Sequence, residues 1–300
     1  MKTETWPSII PGLYLVPGLN RGRFPYSHSF FVDGDTTALL DAGCGPAALD
    51  EVRRRRPPDQ VIVSHAHVDH CSGLWRLAAA PIVSPVQHAD DFWRLPAVAR
   101  RFMGPGEMAD LWLATIGRLL DARDAAPSAH YADGRVFDFG GVRLQAIHAP
   151  GHMDDHYVFF EPTHGLALLF DIDLTSFGPW YGHEESDIDV FLASIEKVRA
   201  LRPAIVASSH KGVVREEIDE HLRRFAHVID RREHRLLELL SAPRTIDELV
   251  DAGLIYGRAT SLDPLLRHGE QSMIEKHLRR LERNERIRRE GERWSRIGAS

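Results

Sequence analysis

Three imidazoles and a carboxylate crowd into six residues at His65-Ala66-His67-Val68-Asp69-His70, one residue beyond the apolar run Val61-Ile62-Val63. A short apolar run of this kind reads as a buried strand, so the cluster lies where a strand breaks into a loop. Imidazole nitrogens and carboxylate oxygens suit zinc and its first-row neighbours, and no thiolate set accompanies them. In extended chain, residues two apart point the same way. His65 and His67 can therefore grip one metal, and the tighter Asp69-His70 pair can turn toward a second. The competing reading is a polar loop that is rich in His by chance. Four donors at this spacing behind a strand argue against it, even in a chain with 17 His among 300 residues. Cys71 follows at once, but the donor set is complete without its thiol.

The His-x-His-x-Asp-His pattern after an apolar strand resembles the signature of the metallo-β-lactamase-fold superfamily. There the remaining ligands come from a later Gly-His, an Asp after another strand, and a last His after a further one. Gly151-His152 follows the strand-like Val142 to Ile147, and His210 follows Ala204 to Ser209. The Asp has two candidates, Asp171 and Asp173, both just past Leu166 to Phe170. Direction does not separate them, because in extended chain both carboxylates point the same way. The family pattern Leu-Phe-x-Gly-Asp lands on Leu169 to Asp173 and selects Asp173, with Ile172 where Gly is usual.

The resemblance implies that His65, His67 and His152 hold one metal, that Asp69, His70 and His210 hold the other, and that Asp173 bridges them. It implies two divalent ions, zinc foremost, with iron and manganese as alternatives. A bridging hydroxide would attack a carbonyl or phosphoryl centre, its pKa brought from about 15.7 toward about 7. Asp69 would orient that hydroxide and take its proton.

Elements flanking the cluster must position it. Leu13 to Val16, Ser29 to Val32 and Thr37 to Asp41 read as strands, with a hairpin signal at Asp33-Gly34-Asp35. Asp41 ends the third strand, where it can orient a ligand through a hydrogen bond or simply make a turn. Ala47 to Arg56 reads as a helix stopped by Pro57-Pro58. Hairpin strands follow at Arg135 to Phe139 and Val142 to Ile147, then strands at His156 to Phe160 and Leu166 to Phe170. A helix over Asp187 to Arg202 and a strand over Ala204 to Ala207 complete the series. Two sheets covered by outer helices predict an α/β fold, a four-layer αββα sandwich over residues 1–213.

Residues 86–125 interrupt this rhythm with helical spacing at Met108, Leu111, Trp112, Ile116 and Leu119, predicting a helical insertion that roofs the site. Trp112 and His156 are candidate substrate contacts, and Tyr181 is a candidate donor to a developing oxyanion. His28, His88, His130, His164, His183 and the C-terminal His residues are assigned to the surface.

Beyond residue 213 the composition changes. A charged amphipathic helix over Arg215 to Leu240 is followed by Thr245 and Glu248 at capping-box spacing. A helix over Glu270 to Asn284 and a hairpin over Ile287 to Trp294 follow. Residues 214–300 therefore resemble a winged-helix module, as also found in the β-lactamase-like protein 2 group of the superfamily. The Gly-His-Met-Asp-Asp-His run from Gly151 is similar to that group's Gly-His-Thr-Asp-Asp-His.

The chain is 43% hydrophobic and 27% charged, with a formal net charge of −6. This balance excludes a protein coated in basic surface. Two cysteines make no disulfide framework, and neither a signal pattern nor a membrane-length apolar run is present, so a soluble cytoplasmic protein is expected. Three functional classes follow. The favoured one is a binuclear metal-dependent hydrolase of a small ester, thioester or lactone. The second is a single-strand-specific endoribonuclease, drawing on nine Lys/Arg against four Glu over 276–296. Against it, residues 215–300 carry 18 basic and 17 acidic side chains, so the charge is local. The third is a non-hydrolytic iron protein, such as a sulfur dioxygenase, or a winged-helix regulator. A small-molecule substrate is expected, with a homodimer as the oligomer considered.

Overall fold

A computed structural model describes residues 6–257 and 263–298. The first sheet contains β1 (Ser8–Ile10), β2 (Leu13–Val16), β3 (Ser29–Asp33), β4 (Thr37–Leu40), β5 (Gln60–Ile62), β6 (Ile82–Pro85) and β7 (Ala129–Tyr131), side by side in chain order. Pairing is antiparallel as far as β4 and parallel from β4 to β7. The second sheet contains β8 (Val136–Asp138), β9 (Arg143–His148), β10 (Tyr157–Glu161), β11 (Leu166–Phe170), β12 (Ile205–Ser208) and β13 (Gly212–Val214). Its spatial order is β13-β12-β11-β10-β9-β8, and only β11 and β12 run parallel.

Helix α1 (Pro46–Arg55) joins β4 to β5, and the single turn α2 (Val68–Cys71) follows β5. The expected insertion is a set of short helices: α3 (Leu95–Met103), α4 (Glu107–Trp112) and α5 (Arg118–Leu120), with a π-helical turn at Leu113–Gly117. Helix α6 (Ile188–Ala200) precedes β12 and starts on Asp187, whose carboxylate accepts from Val190 N at 2.9 Å.

β11 shows why these are four layers. Its five residues are all fully buried, and they alternate. Leu166, Leu168 and Phe170 enter a core between the two sheets, together with Phe30, Ile62 and Phe159. Ala167 and Leu169 face the other way, into a core with Phe191 and Ile195 of α6. A strand buried on both faces must be apolar throughout, and its period of two assigns each residue to a side. A third core lies on the outer face of the first sheet, where Leu39, Val61 and Val63 meet Leu49 and Val52 of α1 and Phe102 of α3. Three apolar interfaces separate four layers, as the strand and helix pattern predicts.

The C-terminal part comprises α7 (Ile218–Leu239), α8 (Ile246–Asp251), α9 (Pro264–Arg283) and the hairpin β14 (Ile287–Glu290) with β15 (Arg293–Arg296). The capping box forms as its spacing predicts, with Thr245 and Glu248 exchanging side-chain to backbone bonds. Helix α9 begins six residues before the sequence expectation, because Asp263 accepts from Leu265 N and Leu266 N and Pro264 occupies the first turn. Helix α7 serves two cores. Its first half puts Leu222, Phe225 and Ile229 against the second sheet, and its end puts Leu236 and Leu237 with Leu249, Ile274 and Leu278. Among the described residues no helix is long and apolar enough to cross a membrane.

Candidate metal centre

The chain leaves the carboxyl ends of β5, β9, β11 and β12 toward one point. His65 Nε2 lies 3.1 Å from His67 Nδ1, and His152 Nε2 lies 2.9 Å from the same atom. Asp171 Oδ2 sits 3.2 Å from His152 Nε2, 3.6 Å from His65 Nε2 and 3.8 Å from His67 Nδ1. The other oxygen of that carboxylate, Oδ1, is 3.0 Å from His70 Nε2 and 3.6 Å from His210 Nε2. Asp69 Oδ2 completes the second group, 3.3 Å from His210 Nε2 and 3.9 Å from His70 Nε2. Two donor groups thus share one carboxylate.

That carboxylate belongs to Asp171, which corrects the expectation of Asp173. The expectation assumed extended chain beyond β11. Instead Phe170 adopts φ 50°, and Ile172 N bonds back to Leu169 O at 3.1 Å. A left-handed Phe is strained, and the turn throws Asp171 into the cluster. Asp173 is carried aside, where its Oδ1 accepts from Thr175 N at 2.9 Å. Burial pushes its carboxyl up to about 6.

Each imidazole is held from behind through its second ring nitrogen. His65 Nδ1 meets Ser64 Oγ at 2.9 Å, and His67 Nε2 meets His183 Nε2 at 2.7 Å. His152 Nδ1 meets Trp180 O at 2.8 Å, and His210 Nδ1 meets Gly22 O at 2.5 Å. His70 Nδ1 meets Asp41 Oδ2 at 2.6 Å. Asp41 therefore orients a ring of the cluster, and it also accepts from Ser64 N and Ser64 Oγ, each at 2.7 Å. Outer partners of this kind fix which nitrogen of a neutral ring carries the proton, so the inward nitrogen is the one available to a metal. The Asp69-His70 turn itself is clamped by Ser27 Oγ on Asp69 O at 2.6 Å and by Ala42 N on His70 O at 2.7 Å. Gly43 is needed there, since a Cβ on it would lie 1.4 Å from Asp69 O.

Protonation follows from burial and neighbours. Burial, then the nearby His70, holds His65 well below the usual imidazole range, and burial with His152 brings His67 to about 4. Burial alone would raise the Asp171 carboxyl, but His70, His210 and His152 outweigh it and hold it well below the carboxylate range. Burial opposes charge on His70, yet Asp171, Asp41 and Asp69 push it well above its ordinary value. Two buried atoms at the centre, His70 Nε2 and Asp171 Oδ1, lie 3.0 Å apart yet make no aligned hydrogen bond with each other or with any other group. Buried polar atoms are rarely left so, and lone pairs converging from both sides on such a point fit divalent cations. Cys71 does not join them. Burial first, then Asp41, raises its thiol well above the usual range, and its Sγ lies 3.4 Å from His65 O.

Three other expectations are corrected by packing. His156 is fully buried, with Nδ1 on Ala149 O at 2.9 Å and Nε2 accepting from Asp171 N at 3.2 Å. It fixes the backbone of Asp171 and does not line a substrate surface. Trp112 is buried behind Phe102, which it meets edge-on at 5.6 Å; it is Phe102 that reaches His67, at 5.4 Å. The insertion reaches the cluster through Phe102. Tyr181 is fully buried, and its hydroxyl faces the C-terminal helices, 2.6 Å from His277 Nε2 and 3.0 Å from Arg232. It is no oxyanion donor. Tyr181→Phe should therefore cost about 1–3 kcal/mol of stability, read in urea titrations. Turnover should fall far less than the roughly 10²–10³-fold expected when an oxyanion donor is lost.

The surface assignment of His183 and His277 is corrected as well, since they are 4% and 0% exposed. Neither sits at a motif spacing. The available signal for His183 is its place in the aromatic loop that follows β11.

The Metallo-beta-lactamase superfamily model matches residues 22–210. An atrochrysone carboxyl ACP thioesterase of Aspergillus fumigatus is 24% identical over 246 residues, 75% of this chain and 66% of that protein. A second match of that name from the same fungus is 29% identical over 120 residues, 38% of this chain and 26% of that protein. The chain thus spans 26% to 66% of the length of these curated relatives. Among solved structures, a metallo-beta-lactamase family protein of Thermus thermophilus superposes with TM-score 0.74 at 22% identity, covering 97% of this chain and 100% of that one. A beta-lactamase domain protein of Burkholderia ambifaria gives 0.72 at 16% identity, covering 98% and 96%. These two likenesses concern the fold, and they extend over the C-terminal helices.

Proposed function

Because this chain belongs to the metallo-beta-lactamase superfamily, whose members are mostly metal-dependent hydrolases, we propose that it is a binuclear metal-dependent hydrolase of a small thioester, ester or lactone. The observation that carries the reading is Asp171, one carboxylate whose two oxygens face two separate groups of imidazoles. His65, His67, His152 and Asp171 would hold one ion, and Asp69, His70 and His210, with Asp171, the other. When bound, a pair of divalent ions, zinc foremost, supplies Lewis-acid polarisation of a carbonyl oxygen and acidifies a water.

The chain's own residues do the rest. Asp69 keeps a carboxylate beside His210, placed to orient the attacking water and accept its proton. Phe102, Trp180 and His183 form an aromatic wall against His67 that suits an acyl group and excludes bulk water. The thioester is the first choice within this class, since matching relatives are named thioesterases.

The charge pattern favours a small molecule over RNA. The arginines of α9 are largely paired within the protein: Arg280 with Asp189 and Glu233, Arg283 with Asp189, Arg279 with Glu275. Arg288 pairs with Glu290, and Arg289 lies over the Trp294 ring. Phosphate contacts would have to displace these partners.

Metal-loaded and chelator-treated protein should be compared on short acyl thioesters, esters, lactones, a phosphodiester and single-stranded RNA. Metal-dependent turnover of the acyl substrates is expected, insensitive to neutralising Arg279, Arg280 and Arg283. Efficient RNA cleavage, abolished by His67→Ala and by that neutralisation alike, would replace this reading with a nuclease.

A further inference from the structure

Two of the outer partners of the imidazoles come from one loop, residues 174–186. Trp180 gives its carbonyl to His152 Nδ1 at 2.8 Å, and His183 gives Nε2 to His67 Nε2 at 2.7 Å. The hydrogen-bond directions follow from the cluster. His67 turns Nδ1 toward His65 and His152, so its Nε2 carries the proton and His183 Nε2 accepts it. The His183 ring is locked in place, stacked on Phe102 with 3.9 Å between centroids and 14° between planes, and edge-on to Trp180 at 4.6 Å.

The loop is pinned from its other side by the C-terminal helices. Arg232 of α7 is buried and donates to Pro179 O at 2.6 Å, Phe177 O at 2.7 Å and Tyr181 Oη at 3.0 Å. Tyr181 in turn donates to His277 Nε2 of α9 at 2.6 Å, and Lys276 donates to Glu184 O at 3.1 Å. Trp180 Nε1 donates to Tyr256 Oη. Backbone carbonyls of an irregular loop have no sheet or helix to satisfy them, so a buried guanidinium fork that takes two of them fixes its path.

We propose that the C-terminal helices act on the candidate metal centre through loop 174–186, with His183 as the positioning residue for His67 and Arg232 as the side chain that fixes the loop. This rests on the reading of the cluster as a metal centre. Without an acceptor at 183, the His67 N–H is buried and unpaired and its ring is free to turn. Without the Arg232 fork, the loop loses its registration, and His183 and the Trp180 carbonyl move together.

The test is cobalt(II) binding by the full chain, read as stoichiometry, affinity against a chromophoric chelator, and the visible ligand-field spectrum. His183→Phe, which keeps the stack on Phe102 but cannot accept, should weaken one of the two ions by about 10–100-fold and change the spectrum. His183→Gln, whose amide oxygen accepts, should recover most of the affinity. Arg232→Met should weaken the same ion, and Arg232→Lys, a milder variant that keeps the charge and loses the fork, guards against failure to fold. Arg279→Gln, on the exposed side of α9, should bind as wild type does.

Wild-type affinity and spectrum in His183→Phe would overturn the role of His183. A loss in His183→Phe without one in either folded Arg232 variant would overturn the role of the C-terminal helices. Wild-type protein that binds no cobalt would instead overturn the metal reading itself, and this inference with it.

Discussion

Asp171→Asn is expected to lose at least one of two bound metal ions and nearly all turnover, while Asp173→Asn keeps both. The Asp171 carboxylate approaches imidazole nitrogens of both groups, at 3.2 Å on one side and 3.0 Å on the other. An amide would put an NH2 group where one anionic oxygen stands and remove the charge that both sites share. Loss of an outer partner typically costs about 10–100-fold in metal affinity or activity, and loss of a shared ligand should exceed that range. Asp173 faces Thr175 N, a contact an Asn oxygen can also make. Metal content per chain and turnover of an acyl substrate, measured on both variants, decide the matter. Equal losses in the two would contradict the assignment, and a loss confined to Asp173→Asn would restore the family-pattern choice.

Asp41→Ala should be the most damaging change outside the donor set. Asp41 is fully buried, and its carboxylate holds His70 Nδ1, Ser64 N and Ser64 Oγ at once. Removing one partner of a buried charged pair costs about 3–5 kcal/mol, because the other is left unpaired. Here Ser64 also supports His65, so both groups of imidazoles lose their backing. Urea denaturation of the metal-free protein should show that loss, and metal affinity should fall by about 10–100-fold. Asp41→Asn, which keeps an acceptor for Ser64, should retain more stability than the alanine. If Asp41→Ala instead melts with wild type, Asp41 is only a turn residue.

Much of the site was legible because its signals are local. Six consecutive residues carried four donors, and the apolar runs before His65, His152 and His210 each formed a strand as read. The helical insertion was visible as a change of period, and Asp41 as a polar residue at a strand end. Less was visible where elements are short. β1, β6, β7 and β13 have three or four residues each and, unlike β5 and β12, lie on no apolar run longer than two residues to mark them.

The donor types, the two outward-facing layers of helices and the grouping of His65, His67, Asp69 and His70 on one strand end are all written along the chain. Burial periodicity and ligand chemistry act over a few residues, so consecutive positions carry them. The choice between Asp171 and Asp173 belongs to the packed fold, because one left-handed residue, Phe170, redirects everything after it. Packing also brings His183 against His67, 116 positions apart, and turns Tyr181 away from the centre to His277, 96 positions on. Such contacts depend on where two loops meet after the sheets have packed, and the residues flanking each one carry no periodic trace of it.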